Sequence, residues 1–339
     1  MKDSHDEQAA LIAGVRAGDR RMLGRAITLV ESVKSTHRRD ADTLLAALLP
    51  DAGRSVRIGI SGVPGVGKST FIEALGQHVI AQGHRIAVLA VDPSSKRSGG
   101  SILGDKTRME NLARSDSAFI RPSPAGRTLG GVARRTREAM TVAEAAGFDV
   151  VVVETVGVGQ SETAVAEMTD LFVLLLQPAA GDDLQGMKKG IVELADVMLV
   201  NKADGELAEA AKRTASDYQA ALRLVAPAHD GWEVPVRTCS SLTGAGIDEA
   251  WTLFQSFFER QQKHGAVASR RAAQAMRWMW REVEDGLLDG LRADPRVRAM
   301  LPDLEDAVGH GCLAPASAAN RLVSAFLQGS GADRPPEEG

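Results

Sequence analysis

"SVRIGISGVPGVGKSTFIEAL", Ser55 to Leu75, changes character twice. It opens on a β-branched apolar run, passes a loop with Gly62, Gly65 and Gly67, and closes on a helix-forming run. These read as strand, tight loop and helix. Lys68 and Ser69 complete the pattern G-x-x-x-x-G-K-[ST] in the context that gives it meaning. The stretch Gly62, Val63, Pro64, Gly65, Val66, Gly67, Lys68, Ser69 and Thr70 is therefore expected to cradle phosphate. Glycines let backbone N–H groups turn inward on an anion, and the helix N-terminus adds a favourable dipole. Lys68 is placed to neutralise β- and γ-phosphate oxygens, and the Ser69 hydroxyl to ligate Mg²⁺.

Outward from this point, "HRIAVLAV", "FDVVVVET", "DLFVLLL", "DVMLVN" and "VPVRTCS" repeat the short apolar run, with helical segments between most of them. Continuous rather than alternating apolar runs fit strands buried on both faces. The expected fold class is α/β: a P-loop nucleotide-binding domain with a mostly parallel central sheet, plus N-terminal and C-terminal helical extensions. Residues 1–54 read as the first extension, with Leu11, Val15, Leu23, Ile27 and Val30 near helical spacing. The nucleotide domain takes 55–262 and a helical arm 263–328, and 329–339 is a polar tail expected to be disordered.

The arm carries Met276, Trp280, Val283, Leu287 and Leu291 on one stripe, after which Pro295 and Pro302 interrupt the pattern. The stripe fits core packing against the α/β domain, or burial against a second copy of the chain.

A formal net charge of -4 over 339 residues argues against a large nucleic-acid or anionic-lipid footprint. Two cysteines far apart form no disulfide framework or zinc spacing, and the seven histidines are scattered. The N-terminus is polar and acidic, and no apolar run approaches a membrane span. The expected compartment is a reducing cytoplasm.

Acids are expected near the metal. Glu154 lies at the end of the buried run in "VVVETVG" and Gly157 follows, where its backbone can approach a γ-phosphate. Asp92 ends "AVLAVD", and Asp105 lies in a glycine-rich stretch that could swing over the phosphates or simply cap a helix. Ser69, Asp92, Asp105 and Glu154 form the expected metal set. Farther on, "VNKAD" gives Asn201, Lys202 and Asp204, an N-K-x-D guanine signature. The Asp204 carboxylate can accept from N1–H and N2–H₂ of guanine, donors that adenine lacks there. Ser240, Ser241 and Leu242, after the next strand, stand where a clamp on guanine O6 is expected. The nucleotide expected is GTP/GDP.

"SGVPGVGKST", "VDPSSKRSGGSILGDKTRM", "FIRPSPAGRTLGGVARRTREAM", "VVVETVGVGQSE", "LLLQPAAGDDLQGMKKGIVELAD" and "VNKAD" closely resemble, in order, the SIMIBI-class P-loop GTPases of the MeaB/MMAA (ArgK-like) family. These are G-protein chaperones of adenosylcobalamin-dependent methylmalonyl-CoA mutase. The resemblance implies slow GTP hydrolysis stimulated by the mutase, gating of cofactor loading, and protection of the mutase from inactivation. It implies a homodimer formed through the C-terminal arm, with an adenosyltransferase as a further candidate partner. It assigns phosphate and metal to Lys68 and Ser69, the metal surroundings to Asp92, Asp105 and Glu154, and guanine to Asn201, Lys202 and Asp204. No cobalamin signature such as D-x-H-x-x-G is present.

The segment "QPAAGDDLQGMKKG", Gln177 to Gly190, fits an ordinary strand-to-helix loop capped by Asp182 or Asp183, or a third switch. In the second reading Lys188 or Gln185 contacts the γ-phosphate when a client binds. Two other functions compete. A nickel metallochaperone GTPase would want a histidine-rich tract or Cys/His cluster, which the chain lacks. A P-loop kinase would need an acceptor pocket and has no use for guanine selectivity.

Overall fold

The computed structural model describes residues 2–32, 34–91, 109–122, 129–155, 161–178, 189–223 and 231–330. The chain divides into two compact units, Met1–Ala268 and Ser269–Gly339.

The first unit is built on seven strands: β1 (Val56–Gly62), β2 (Ile86–Val91), β3 (Ala118–Arg121), β4 (Val150–Thr155), β5 (Leu171–Leu176), β6 (Val197–Val200) and β7 (Val236–Thr238). Their order is β3-β2-β4-β1-β5-β6-β7, and every neighbouring pair is parallel. β2, β4, β5 and β6 are buried throughout, as continuous apolar runs demand. β3 went unread in the sequence. It is four residues long at the sheet edge, too short for a period to show.

One core layer joins Ile58, Ile60, Val152 and Val173 of the sheet to Phe71, Ile72 and Leu75 of the helix Lys68–Ala81 and to Trp251, Phe254 and Phe257 of the helix Ile247–Lys263. The N-terminal segment forms helices Lys2–Arg16, Arg20–Val30 and Ser35–Leu48. Asp19 separates the first two, its carboxylate accepting from the N–H groups of Arg21 and Met22. Leu11, Val15, Leu23, Ile27, Val30 and Leu44 are buried, and these helices pack against the helix Leu129–Ala145. Arg121, ending β3, pairs with Glu31 and so ties the sheet edge to this layer.

Beneath the N-terminal end of the sheet, Arg57 makes a bidentate pair with Glu144, at 2.7 and 2.9 Å. Ser55 Oγ and Gly53 N also donate to this carboxylate. Burial alone would raise the Glu144 pKa; the hydrogen bonds and charge of Arg57, with Ser55 and Gly53, outweigh it and hold the pKa below its usual value.

In the second unit the helix Pro295–Gly309 begins at Pro295 and runs on through Pro302. Pro302 therefore does not interrupt the helix as the sequence suggested; it removes one backbone donor from an otherwise continuous turn. Pro295 suits its place, because the first helical N–H has no intrahelical partner. Among the described residues no helix is long and apolar enough to cross a membrane.

Candidate functional site

Seven parallel strands bring all their C-terminal ends to one edge, where ligands bind in such sheets. β1 lies inside the sheet between β4 and β5, so the loop that follows it stands at the middle of that edge. Two glycines there are required by space as well as by dihedral. Gly62 has φ +154°, and a Cβ on it would lie 2.6 Å from the Leu175 carbonyl oxygen. Gly67 caps the helix Lys68–Ala81 with φ +95°, and a Cβ would lie 2.8 Å from Asn201 Nδ2. The loop thus closes tightly enough to touch the N-K-x-D segment. Lys68, buried at the helix start, curls back so that Nζ donates to the carbonyls of Gly62 at 2.9 Å and Val63 at 3.3 Å. Gly65 and Pro64 are exposed at the loop tip, Val66 is buried, and Thr70 faces outward.

Glu154 is 8% exposed at the end of β4, in register with Ile60 of β1. Its Oε1 accepts from Ser69 Oγ at 3.1 Å. A hydroxyl and a carboxylate oxygen so placed are the hard donors that Mg²⁺ takes, alongside water and substrate phosphate. Ser69 and Glu154, two of the four expected metal residues, are thus brought together. Asp92, Asp105, Gly157, Gln185 and Lys188 lie outside the described residues, as does Asp182.

The base loop is braced to the phosphate loop. Asn201 is 1% exposed; its Nδ2 donates to Val66 O at 2.9 Å. Its Oδ1 accepts from Ser241 N at 3.1 Å and Ser241 Oγ at 2.7 Å. Lys202 alone among the described non-glycine residues has a positive φ, +59°. This left-handed backbone costs an L-residue about 1–2 kcal/mol. It accompanies a hydrogen bond from Lys202 Nζ to Gly65 O at 2.7 Å. Asp204 accepts from Ser240 Oγ, which itself accepts from Thr243 N at 3.1 Å. Ser240 and Ser241 therefore turn their hydroxyls to Asp204 and Asn201, while Leu242 is 82% exposed. In this structure the two serines hydrogen-bond the Asp204 and Asn201 side chains, the pair expected to meet guanine.

Sequence reasoning overlooked three groups here. Cys239, buried beside Asn201, has its thiol pushed up to about 12 by burial, so it stays protonated. Ser61 and Thr155 share a buried hydrogen bond of 2.9 Å between β1 and β4. Ser161, fully buried at the start of the helix Glu162–Ala166, holds a hydroxyl with no hydrogen-bond partner among the described residues. None has a sequence signal, because each depends on which strands lie side by side.

A parallel α/β sheet with a phosphate loop after an inner strand, and an N-K-x-D loop hydrogen-bonded to it, defines a P-loop GTPase. The model of the family "Methylmalonyl Co-A mutase-associated GTPase MeaB" matches residues 23–296. The chain belongs to that family. It is 58% identical over 310 residues to a Caulobacter vibrioides protein named for GTPase activity, covering 91% of this chain and 95% of that one. To the mouse protein named methylmalonic aciduria type A homolog, mitochondrial, it is 45% identical over 326 residues, 93% of this chain and 79% of that one. The crystal structure of an LAO/AO transport system kinase is 38% identical with a TM-score of 0.74, covering 95% of this chain and 97% of that one.

Proposed function

We propose that this GTPase is a Mg²⁺-dependent chaperone of adenosylcobalamin-dependent methylmalonyl-CoA mutase, gating cofactor loading and protecting the mutase from inactivation. The observation that carries the reading is the family match over residues 23–296, whose description names that mutase. In this reading the phosphate loop and Lys68 hold the triphosphate. Ser69 and Glu154, with Asp92 and Asp105, hold the metal, which would neutralise charge on the phosphates. Asn201, Lys202 and Asp204 select guanine. Client binding accelerates a slow intrinsic hydrolysis, with Lys188 or Gln185 acting on the γ-phosphate.

The kinase reading keeps a place because a solved relative carries that name. GTP labelled at the γ-position separates the two. Incubated with the protein, with and without the mutase, it should release free phosphate, faster with the mutase. A labelled acceptor would favour the kinase, and an unchanged rate with the mutase would remove the client.

A homodimer through the arm is part of the same proposal. On the helix Ala266–Ala293, Met276, Met279, Trp280, Val283, Leu287 and Leu288 are all exposed, and Trp280 is 59% exposed. So large a contiguous apolar face marks an interaction surface. Light scattering should give a dimer for the full chain and a monomer for the double variant Trp280→Glu, Leu287→Glu; a dimer in both would refute the arm.

A further inference from the structure

The sheet forks at the nucleotide edge. The β1–β4 register ends at Ile60 with Glu154. Beyond that step β1 continues along β5, Ser61 against Leu174 and Gly62 against Leu175. β4 continues along β2, Ala90 against Glu154 and Val91 against Thr155. The backbone ladder between the two inner strands therefore stops two residues before the end of β1 and one before the end of β4. Where it stops, a side-chain bond takes over: Thr155 Oγ1 donates to Ser61 Oγ at 2.9 Å, with Thr155 0% and Ser61 1% exposed.

The two arms of this fork carry the chemistry. Ser61 immediately precedes Gly62, whose carbonyl holds the Lys68 ammonium. Thr155 immediately follows Glu154, whose carboxylate meets Ser69. Strand alternation puts Glu154 and Thr155 on opposite faces. Thr155 thus clasps the strand end from behind while Glu154 reaches over the phosphate loop.

We propose that the Ser61–Thr155 hydroxyl pair is a positioning element for GTP hydrolysis, setting the distance between the Glu154 carboxylate and the phosphate loop. Neither residue touches the reacting atoms; both act through Glu154 and Gly62. A buried side-chain bond suits this task. Water does not reach it to offer either hydroxyl another partner, and a half-broken pair leaves an unsatisfied group in the sheet.

The proposal rests on the reading of Glu154 as a metal residue, and the test keeps the two apart. Thr155→Val retains shape and β-branching but loses the donor. It should lower kcat for GTP hydrolysis by about tenfold, the scale expected when a catalytic group is displaced by a fraction of an ångström. The Mg²⁺ concentration for half-maximal rate should rise, while GDP affinity stays near wild type. Thr155→Ser restores the donor and should recover the rate. Ser61→Ala, which removes the acceptor, should repeat the Thr155→Val result and carries the test if that variant does not fold. Glu154→Gln runs in parallel. Wild-type hydrolysis in Glu154→Gln would overturn the reading of Glu154 itself. Impaired Glu154→Gln beside wild-type kcat and Mg²⁺ dependence in both Thr155→Val and Ser61→Ala would overturn the clasp alone. So would equal impairment of Thr155→Val and Thr155→Ser, which would show that shape rather than the hydroxyl matters.

Discussion

Asn201→Ala removes one side chain and two connections. Nδ2 is bonded to Val66 O at 2.9 Å, inside the phosphate loop. Oδ1 is bonded to Ser241 N and Oγ, inside the loop after β7. Three hydrogen bonds thus hold three segments through one buried amide. In the alanine variant the Ser241 hydroxyl can rotate toward solvent, because Ser241 is only half-buried. Val66 O and Ser241 N lose this partner outright. Each buried group left unsatisfied costs about 1–3 kcal/mol. Two such groups, adjacent and partly able to relax, should cost about 2–4 kcal/mol in all. Where the loops are ordered by nucleotide, that cost falls on binding, and every 1.4 kcal/mol is about tenfold in affinity. GDP affinity should therefore fall by about 30-fold or more. Fluorescent-GDP titration measures it, and urea unfolding of the nucleotide-free protein measures the share borne by the fold. Asn201→Asp should do no better, since it sets a carboxylate oxygen against the Val66 carbonyl in place of the amide donor. A GDP affinity within threefold of wild type and an unchanged unfolding midpoint in Asn201→Ala would refute the bracing role.

Two further expectations concern stability. Glu144→Gln should destabilise the fold by about 3 kcal/mol at neutral pH, because it leaves the Arg57 guanidinium buried without its counter-charge. The Glu144 pKa is held below its ordinary 4.5, so the pair stabilises above that pH and its contribution fades as pH falls through the lowered value. The gap between wild type and variant, read by urea unfolding, should therefore shrink in acid, and a gap independent of pH would contradict the assignment. Ser161→Ala should stabilise the protein by about 1 kcal/mol, since it removes a buried hydroxyl that has no partner among the described residues. A loss of stability by thermal unfolding would mean that the hydroxyl is satisfied.

The sheet and its ligand edge were legible because long apolar runs and a fixed-spacing motif are local signals. "VVVVET" and "LFVLLL" announce inner strands, and "GVPGVGKST" places the phosphate loop whatever the rest of the chain does. The strand "AFIR" was not legible, for it has neither length nor alternation and owes its place to pairing with Ile86–Leu89. The N-terminal helices showed their apolar spacing, but their docking face on Leu129–Ala145 is a tertiary fact. Within the site, N-K-x-D was plain, whereas the turn of Ser240 toward Asp204 was not. A serine after a strand reads as a base contact or as a support for one with equal ease, and only the neighbouring carboxylate decides. Thr155 and Ser61 are 94 residues apart and meet because β1 and β4 are adjacent, which no spacing rule reveals.

The posture of Lys68 alters what phosphate must do to bind. Its ammonium is docked on two carbonyl oxygens of its own loop. A lysine ordered from solvent gives up rotamer freedom worth up to about 2 kcal/mol. If Lys68 takes the phosphates as proposed, folding has already fixed its chain, and an incoming nucleotide would exchange acceptors instead of freezing a floppy side chain. The exchange also sets a threshold. A neutral ligand oxygen offers the ammonium nothing better than the carbonyls it leaves, whereas an anionic phosphate oxygen forms the stronger, charge-assisted bond. Guanosine would thus leave the lysine on its loop, and only a phosphorylated ligand would draw it away. In that reading the loop carbonyls would compete with phosphate for the ammonium and yield to charge.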